Sequence, residues 1–188
     1  MSKVLEDRFG RRHDYLRISV TDRCNLRCVY CMGPEGIKLL DHRQILSYEE
    51  ILRIVRAAAE MGVKKIRITG GEPLVRKGIE YMVKKIAETP GIEDTAMTTN
   101  GLLLAEKASA LKEAGLKRVN VSLDSLKPEI YRKVTRGGDL KKALAGIKAA
   151  LYYQLTPVKI NVVLMKGIND GEIDDFLRLT LEYPLQVR

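Results

Sequence analysis

The stretch Lys65-Ile-Arg-Ile-Thr-Gly-Gly-Glu-Pro73 decides the fold, because it joins a short strand of alternating polarity to a tight glycine turn. Four other β-branched runs match it, and helical patterns separate them. The predicted strands are residues 16–21, 65–69, 95–100, 118–124 and 159–165, and the predicted helices are residues 47–61, 79–88, 103–114, 140–153 and 171–182. Strand–helix alternation with short crossovers indicates an α/β fold, in which helices wrap a parallel sheet.

The predicted strands alternate in polarity, whereas a parallel strand with helices on both faces is apolar throughout. A sheet with one solvated face would also alternate, but that arrangement is typical of antiparallel sheets. We therefore expect a curved parallel sheet, a partial barrel of about six strands with a polar lumen. Arg17, Arg67 and Lys159 would share this lumen. Because burying an unpaired charge costs several kcal/mol, these three cations predict an anionic ligand.

The composition indicates one soluble domain spanning residues 1–188. Hydrophobic residues make up 45% of the chain, and no apolar run approaches the ~20 residues that a membrane helix needs. The first twenty residues mix acidic and basic side chains, unlike a secretory signal. The net charge of +9 is dispersed, and with no Trp and two Phe the chain has few platforms for stacking bases. We predict a cytoplasmic protein with no nucleic-acid and no membrane partner.

Cys24-Asn-Leu-Arg-Cys28-Val-Tyr-Cys31 contains all three cysteines of the chain. An odd, tightly spaced set does not build a disulfide framework, so the pattern indicates a metal. Structural zinc sites need four ligands, and neither His13 nor His42 lies at a zinc-finger spacing, which makes zinc the less favoured alternative. A cubane iron–sulfur cluster accepts three cysteines, because its fourth iron can take a ligand from outside the protein.

The C-x₃-C-x₂-C spacing, with Tyr30 before the last cysteine, resembles the signature of the radical S-adenosylmethionine (SAM) superfamily, whose members share a partial (β/α)₆ barrel. The resemblance implies one [4Fe–4S] cluster on Cys24, Cys28 and Cys31, SAM at its open iron, and no catalytic side chain beyond these ligands. The turn at 70–73 resembles the superfamily motif that binds the SAM amino group, and Ser122 resembles a residue that contacts the SAM carboxylate or ribose. The implied SAM-binding residues are Tyr30, Gly70, Gly71, Glu72, Pro73 and Ser122.

Five stretches together resemble one family within that superfamily, the GTP 3′,8-cyclases of molybdenum-cofactor biosynthesis. They begin at Arg17, Lys65, Thr98, Asn120 and Lys159. The resemblance implies that GTP contacts Arg17, Arg67, Thr98 and Lys159. It implies that a 5′-deoxyadenosyl radical takes a ribose hydrogen and that GTP becomes 3′,8-cyclo-7,8-dihydro-GTP. It further implies an external electron donor and a downstream cyclic pyranopterin monophosphate synthase, and it allows a homodimer.

Two other functions stay open: a radical SAM enzyme acting on another substrate, such as a peptide, and an inactive fragment that binds only the cluster or SAM. Members of the cyclase family carry three further cysteines in a C-terminal region, whereas this chain has three in all. Residues 185–188 match the opening of a sixth strand. We therefore expect a single radical SAM core domain that is cut at the start of its sixth strand.

Overall fold

The computed structural model describes residues 4–188, and within them six parallel strands form one sheet in chain order. The strands are β1 (Tyr15–Ser19), β2 (Lys65–Thr69), β3 (Asp94–Thr99), β4 (Arg118–Ser122), β5 (Val158–Asn161) and β6 (Leu185–Val187). A helix follows each of the first five strands, as in the winding of a (β/α) barrel. The predicted α/β architecture, a partial TIM-type barrel, is confirmed. No helix among these residues is long and apolar enough to cross a membrane.

Six α-helices among residues 4–188 pack outside the sheet, and several of their ends carry capping signals. They are α1 (Tyr48–Glu60), α2 (Ile79–Ala87), α3 (Leu104–Glu113), α4 (Pro128–Thr135), α5 (Leu140–Tyr152) and α6 (Ile173–Glu182). At the start of α1 the Ser47 hydroxyl accepts from the Glu50 N–H, and the Glu50 carboxylate accepts from the Ser47 N–H. This reciprocal pair is a capping box. Gly62 and Gly115 adopt φ of +92° and +93° after α1 and α3, the left-handed conformation expected there.

Two elements differ from the prediction. Helix α4 was missed, although Pro128 at its first position and a Gly137-Gly138 pair after it are typical helix boundaries. Strand β5 ends at Asn161 and not at residue 165. The chain leaves the sheet there because the Val163 N–H donates to the Asp124 carboxylate at 2.9 Å, outside the strand ladder.

The alternating strands separate an apolar face from a polar one. The apolar face packs against the helices, and five of its side chains are at most 1% exposed: Ile66, Ile68, Val119, Val121 and Ile160. The opposite face carries the polar side chains, and we call it the lumen face. Strand register places Arg17 beside Arg67, and it places Asn120 between Thr98 and Lys159. Because register partners in a parallel sheet point to the same side, all five belong to the lumen face.

Candidate functional site

The cysteine loop, residues 22–32, follows β1 at the carboxyl end of the sheet and is anchored first by the glycine turn, residues 70–73. The Gly71 N–H donates to the Thr21 carbonyl at 2.7 Å, and the Glu72 N–H donates to the Arg23 carbonyl at 2.8 Å. The carboxyl ends of β1 and β2 are neighbours in the sheet, so the two motifs meet there. The structure thus brings together the two segments on which the superfamily resemblance rests.

Helix α4 provides the second anchor of the cysteine loop. The Arg27 N–H donates to the Thr135 carbonyl at 3.2 Å, and the Val29 N–H donates to the Val134 carbonyl at 2.9 Å. Arg136, which ends the helix with φ of +51°, sends its guanidinium back to the Met32 carbonyl at 2.6 Å. The helix that the sequence-based prediction missed therefore supports the predicted metal-binding segment.

Tyr30 provides the third anchor, since its hydroxyl donates to the Asp124 carboxylate at 2.7 Å. Asp124 follows β4 and is 2% exposed, and burial raises the pKa of its carboxyl group. Burial and the bond to Asp124 raise the pKa of Tyr30, which therefore remains a hydrogen-bond donor. The ring of Tyr30 stays accessible, with 46% of the residue exposed. A ligand can still stack on this ring while the hydroxyl fixes its position.

The donor set of the loop suits an iron–sulfur cluster. Cys24 and Cys28 are partly buried and Cys31 is exposed. Burial raises the pKa of the Cys28 thiol to about 11, with smaller contributions from Asp124 and the other two cysteines, and burial likewise raises the pKa of Cys24. Iron would have to displace these protons, because thiolates are the ligating form. The Leu26 N–H, 3.4 Å from Cys24 Sγ, is already placed to donate to such a thiolate.

The cysteine side chains do not converge on a single point. Within residues 4–188, no group of three or more His, Cys, Asp or Glu side chains is close enough to hold one metal ion. A cubane binds its thiolates on different irons. Cys24, Cys28 and Cys31 remain the candidate ligands of such a cluster.

The glycines of the turn are needed by the cysteine loop itself. A Cβ on Gly71 would lie 2.3 Å from the Arg23 carbonyl oxygen, and one on Gly70 would lie 2.6 Å from the Thr21 carbonyl oxygen. Gly70 also adopts φ of +154°, which side-chain-bearing residues rarely adopt. The absence of side chains at Gly70 and Gly71 therefore lets the turn pack directly against the backbone at Thr21 and Arg23.

Glu72 and Pro73 of the turn point inward. Glu72 is 1% exposed, and its carboxylate accepts hydrogen bonds from the Leu74 N–H at 3.0 Å, the Thr99 hydroxyl at 2.7 Å and the Asn100 N–H at 2.6 Å. Pro73 is buried as well. The Glu72 carboxylate thus ties the turn to the end of β3. That Glu72 and Pro73 belong to the SAM-binding turn, as the superfamily resemblance implies, stays a prediction.

The cations of the lumen face divide into two kinds. Lys65 donates to Asp14 at 2.7 Å, and Arg118 forms a two-point contact with Asp94. By contrast, among residues 4–188 no carboxylate oxygen lies within 4 Å of the charged group of Arg17, Arg67 or Lys159. The three cations without a carboxylate partner are those that the sequence predicted as ligand-binding.

Arg67 is nevertheless held in place by neutral groups. It is 9% exposed, its Nε donates to the Tyr15 hydroxyl at 2.6 Å, and its Nη1 donates to the Thr98 hydroxyl at 3.4 Å. These contacts orient the guanidinium without neutralising it. Because a buried charge without a counterion is costly, this arrangement favours an anion at the lumen face.

Ser122 ends β4 on the lumen face, where it is partly buried and lies in register with Asn161. Two residues earlier, Asn120 occupies the same face and is 4% exposed. Sequence reasoning assigned no role to Asn120, to the loop anchor Asp124, or to Asn100, whose side-chain amide donates to Asn25 Oδ1 in the cysteine loop at 2.7 Å. The polar alternation of the predicted strand 118–124 was the available signal for Asn120 and Asp124, but for Asn100 no local pattern exists.

Comparison with known proteins places this site within one superfamily. The family model described as "Radical SAM superfamily" matches residues 18–180, which is most of the chain. The chain belongs to the radical SAM superfamily. A [4Fe–4S] cluster and SAM are accordingly its expected cofactors. Solved structures share the fold, including that of Streptococcus suis SuiB bound to S-adenosylmethionine, which has a TM-score of 0.70 and 23% identity and covers 93% of this chain and 40% of that one. Another is that of anSMEcpe with bound AdoMet, which has a TM-score of 0.71 and 19% identity and covers 92% of this chain and 50% of that one.

Similarity in sequence is much higher to one group of curated proteins. A GTP 3′,8-cyclase of Petrotoga mobilis is 57% identical over 182 residues, covering 97% of this chain and 56% of that protein. A GTP 3′,8-cyclase of Pelotomaculum thermopropionicum is 58% identical over 184 residues, covering 98% of this chain and 57% of that protein. The radical SAM chain described here thus spans a little more than half the length of these relatives.

Proposed function

We propose that this chain is the radical SAM core of a GTP 3′,8-cyclase, and that it binds GTP across the lumen face. The observation that carries the proposal is the set of lumen-face cations without carboxylate partners among residues 4–188, Arg17, Arg67 and Lys159. A triphosphate supplies the anionic oxygens that these groups lack. Charge-assisted hydrogen bonds to phosphate are the strong kind, and guanidinium groups make them with two donors at once.

Cys24, Cys28 and Cys31 would hold the cluster, and the cluster with SAM supplies the 5′-deoxyadenosyl radical chemistry of the superfamily. The chain's own residues position the reactants. Tyr30, fixed through Asp124, offers a ring for stacking, and the Gly70–Gly71 backbone and Ser122 border the same end of the sheet. Lumen-face groups further down the strands, including Thr98, orient the nucleotide. A nucleotide bound across the lumen face would then lie next to SAM.

The proposal is tested by nucleotide binding to anaerobically reconstituted protein. Lys159→Met removes one unpaired cation, and we expect it to weaken GTP binding by about tenfold or more, because a hydrogen bond to a charged group is worth roughly 1.5–3 kcal/mol. Lys65→Met is the matched control: it removes a cation from the same face, but one that already pairs with Asp14. Isothermal titration calorimetry measures both affinities.

Equal losses for the two lysine variants would contradict the assignment of Lys159 to the nucleotide. Release of 5′-deoxyadenosine from SAM after reduction, followed by chromatography, tests the radical chemistry separately. An inactive fragment would release none. A radical SAM enzyme with another substrate, such as a peptide, would release 5′-deoxyadenosine but would bind no GTP.

The same proposal extends to the setting of the reaction. It includes a cytoplasmic location, an external protein that reduces the cluster, and a downstream cyclic pyranopterin monophosphate synthase that consumes the product. It also includes a homodimer, which sedimentation equilibrium of the reconstituted chain tests directly. A single species of about the 21.2 kDa chain mass at all concentrations would contradict the dimer.

A further inference from the structure

The cysteine loop has an outer side that the proposed function leaves unused. Two neighbouring cavities lie there, and both are lined by Asp22 and Arg23. Their walls come from the cysteine loop and from the segments that lead into α1 and α2, which are helices outside the sheet. We call this surface the outer basic face. Its other charged residues are Arg27, Arg76 and Lys77, and its exposed aliphatic residues are Ile37, Leu39 and Leu40.

Cations outnumber carboxylates on the outer basic face. Four basic side chains line the cavities, whereas Asp22 is the one carboxylate among the described residues that line them. Within residues 4–188, none of these four cations has a carboxylate oxygen within 4 Å of its charged group. Asp22 is engaged by the backbone, because its Oδ2 accepts from the Leu40 N–H at 2.7 Å. The face thus carries a positive charge that ion pairs within the described chain do not neutralise.

Side-chain contacts hold the outer basic face together. Nη2 of Arg23 lies 2.8 Å from Nε2 of His42, and Nη2 of Arg76 donates to the Leu46 carbonyl at 2.7 Å. Aliphatic side chains around these contacts are 44–49% exposed, and the exposed Lys38 lies between two of them in sequence. Fixed arginines next to exposed aliphatic groups are typical of protein interfaces. No Phe, Tyr or Trp lines the cavities among the described residues, so stacked bases are a poorer match.

Cys24 connects the outer basic face to the proposed cluster. The residue lines one of the two cavities, and its Sγ lies 4.0 Å from Asn100 Nδ2 at the end of β3. SAM and the nucleotide of the proposed function would occupy the lumen side of this loop. A protein that reduces the cluster must then approach from a side where no substrate binds. The outer basic face is such a surface, and it borders a candidate cluster ligand directly.

We propose that the outer basic face binds the external electron donor, and that this donor is an acidic protein carrying a one-electron cofactor. One electron leaves the donor and enters the cluster, and no atom is transferred. The inference rests on the cluster of the proposed function and not on its nucleotide. Opposite charges steer such partners together, and electron-transfer encounters bury less than about 1,200 Å² in total. A partner can therefore dock on this face without covering the lumen.

Stopped-flow reduction of the reconstituted chain tests the proposal, with reduced flavodoxin, an acidic flavoprotein, as the donor. Lys38→Glu/Lys77→Glu reverses two exposed cations of the face, and Lys142→Glu/Lys148→Glu reverses two exposed cations of α5 as the matched control. At low salt we expect the first pair to lower the second-order rate constant about tenfold or more, because charge steering raises on-rates by about 10–10³. The control should leave the rate unchanged, and added salt should slow the wild type. Dithionite needs no docking, so it should reduce all three proteins at one rate.

Calorimetry with oxidised flavodoxin gives a readout that needs no electron transfer, and the affinities should fall in the same order as the rates. Lys38→Gln/Lys77→Gln, which removes the two charges without reversing them, should lie between the wild type and Lys38→Glu/Lys77→Glu. Equal slowing by the two glutamate pairs, slower reduction of the first pair by dithionite, or binding to anionic phospholipid vesicles but not to flavodoxin would overturn the inference. Failure of the wild type to bind GTP would overturn the proposed cyclase and leave this inference standing. Failure to assemble a cluster would overturn both.

Discussion

Replacing Glu72 by glutamine asks whether one buried carboxylate holds the glycine turn in place. Oε1 of Glu72 accepts from the Leu74 N–H and the Thr99 hydroxyl, and Oε2 accepts from the Asn100 N–H at 2.6 Å. Glutamine keeps a single oxygen, so it can preserve the first two bonds. Its amide nitrogen then faces the Asn100 N–H. Two donors meet in a site that is 1% exposed, and neither has an acceptor.

We expect Glu72→Gln to lower the free energy of unfolding by about 2 kcal/mol, because each buried donor left unpaired costs roughly 1–3 kcal/mol. Alanine would leave three donors unpaired, at a cost of about 3–5 kcal/mol. The total free energy of unfolding of a native domain is roughly 5–15 kcal/mol. Glutamine is therefore the substitution that leaves enough folded protein to measure.

Urea denaturation at neutral pH, followed by circular dichroism, measures the change. Glu88→Gln is the control, since Glu88 is exposed and contacts Lys85 at 2.8 Å on the surface; its midpoint should not move measurably. Iron binding should also fall in Glu72→Gln, because Asn100 loses one fixed contact and its side chain in turn holds Asn25 of the cysteine loop. A midpoint for Glu72→Gln equal to that of the wild type would refute this reasoning.

The same pair of proteins yields a prediction on pH. Burial raises the pKa of Glu72 above its ordinary value of 4.5, so the folded chain takes up a proton there at a higher pH than the unfolded chain does. The stability gained by protonating Glu72 is fully present below the pKa that this residue has in the unfolded chain. It is lost as the pH rises through the pKa that the residue has in the folded chain. Glutamine does not titrate. The stability difference between wild type and Glu72→Gln should therefore widen as the pH falls through that window, and a constant difference in urea melts would contradict it.

Two further substitutions test the anchors of the cysteine loop. Gly71→Ala places a Cβ 2.3 Å from the Arg23 carbonyl oxygen, so we expect a melting temperature several degrees lower and less bound iron. Gly171→Ala, whose Cβ meets nothing within 4 Å, is its control, and equal melting temperatures for the two variants would argue against close packing of the turn. Tyr30→Phe deletes the hydroxyl bound to Asp124 and should cost about 1 kcal/mol in urea denaturation with iron binding retained; a cost near zero would show that the hydroxyl is not an anchor.

The sequence was a good guide to elements and chemistry, and a poor one to partners. Strand β2 begins and ends where its β-branched run predicts, and the predicted helix 47–61 corresponds to α1, which a capping box opens. Both signals are local, since they depend on residues within a few positions of each other. The bond between Tyr30 and Asp124 spans 94 positions of the chain. Such a contact depends on how β4 lies across the sheet from the cysteine loop, and no periodicity within either segment encodes it.

The lumen cations show the same limit most clearly. In the sequence, Lys65 and Lys159 look alike: each stands in an alternating strand, on the polar side, beside isoleucine. Only packing separates them, because the segment before β1 brings Asp14 to Lys65, whereas no described carboxylate reaches Lys159. A paired cation is stable without a ligand, but an unpaired one in a cleft gains most from an anion that replaces its lost water. The unpaired cations, and not the total positive charge of the face, therefore determine where a triphosphate would bind.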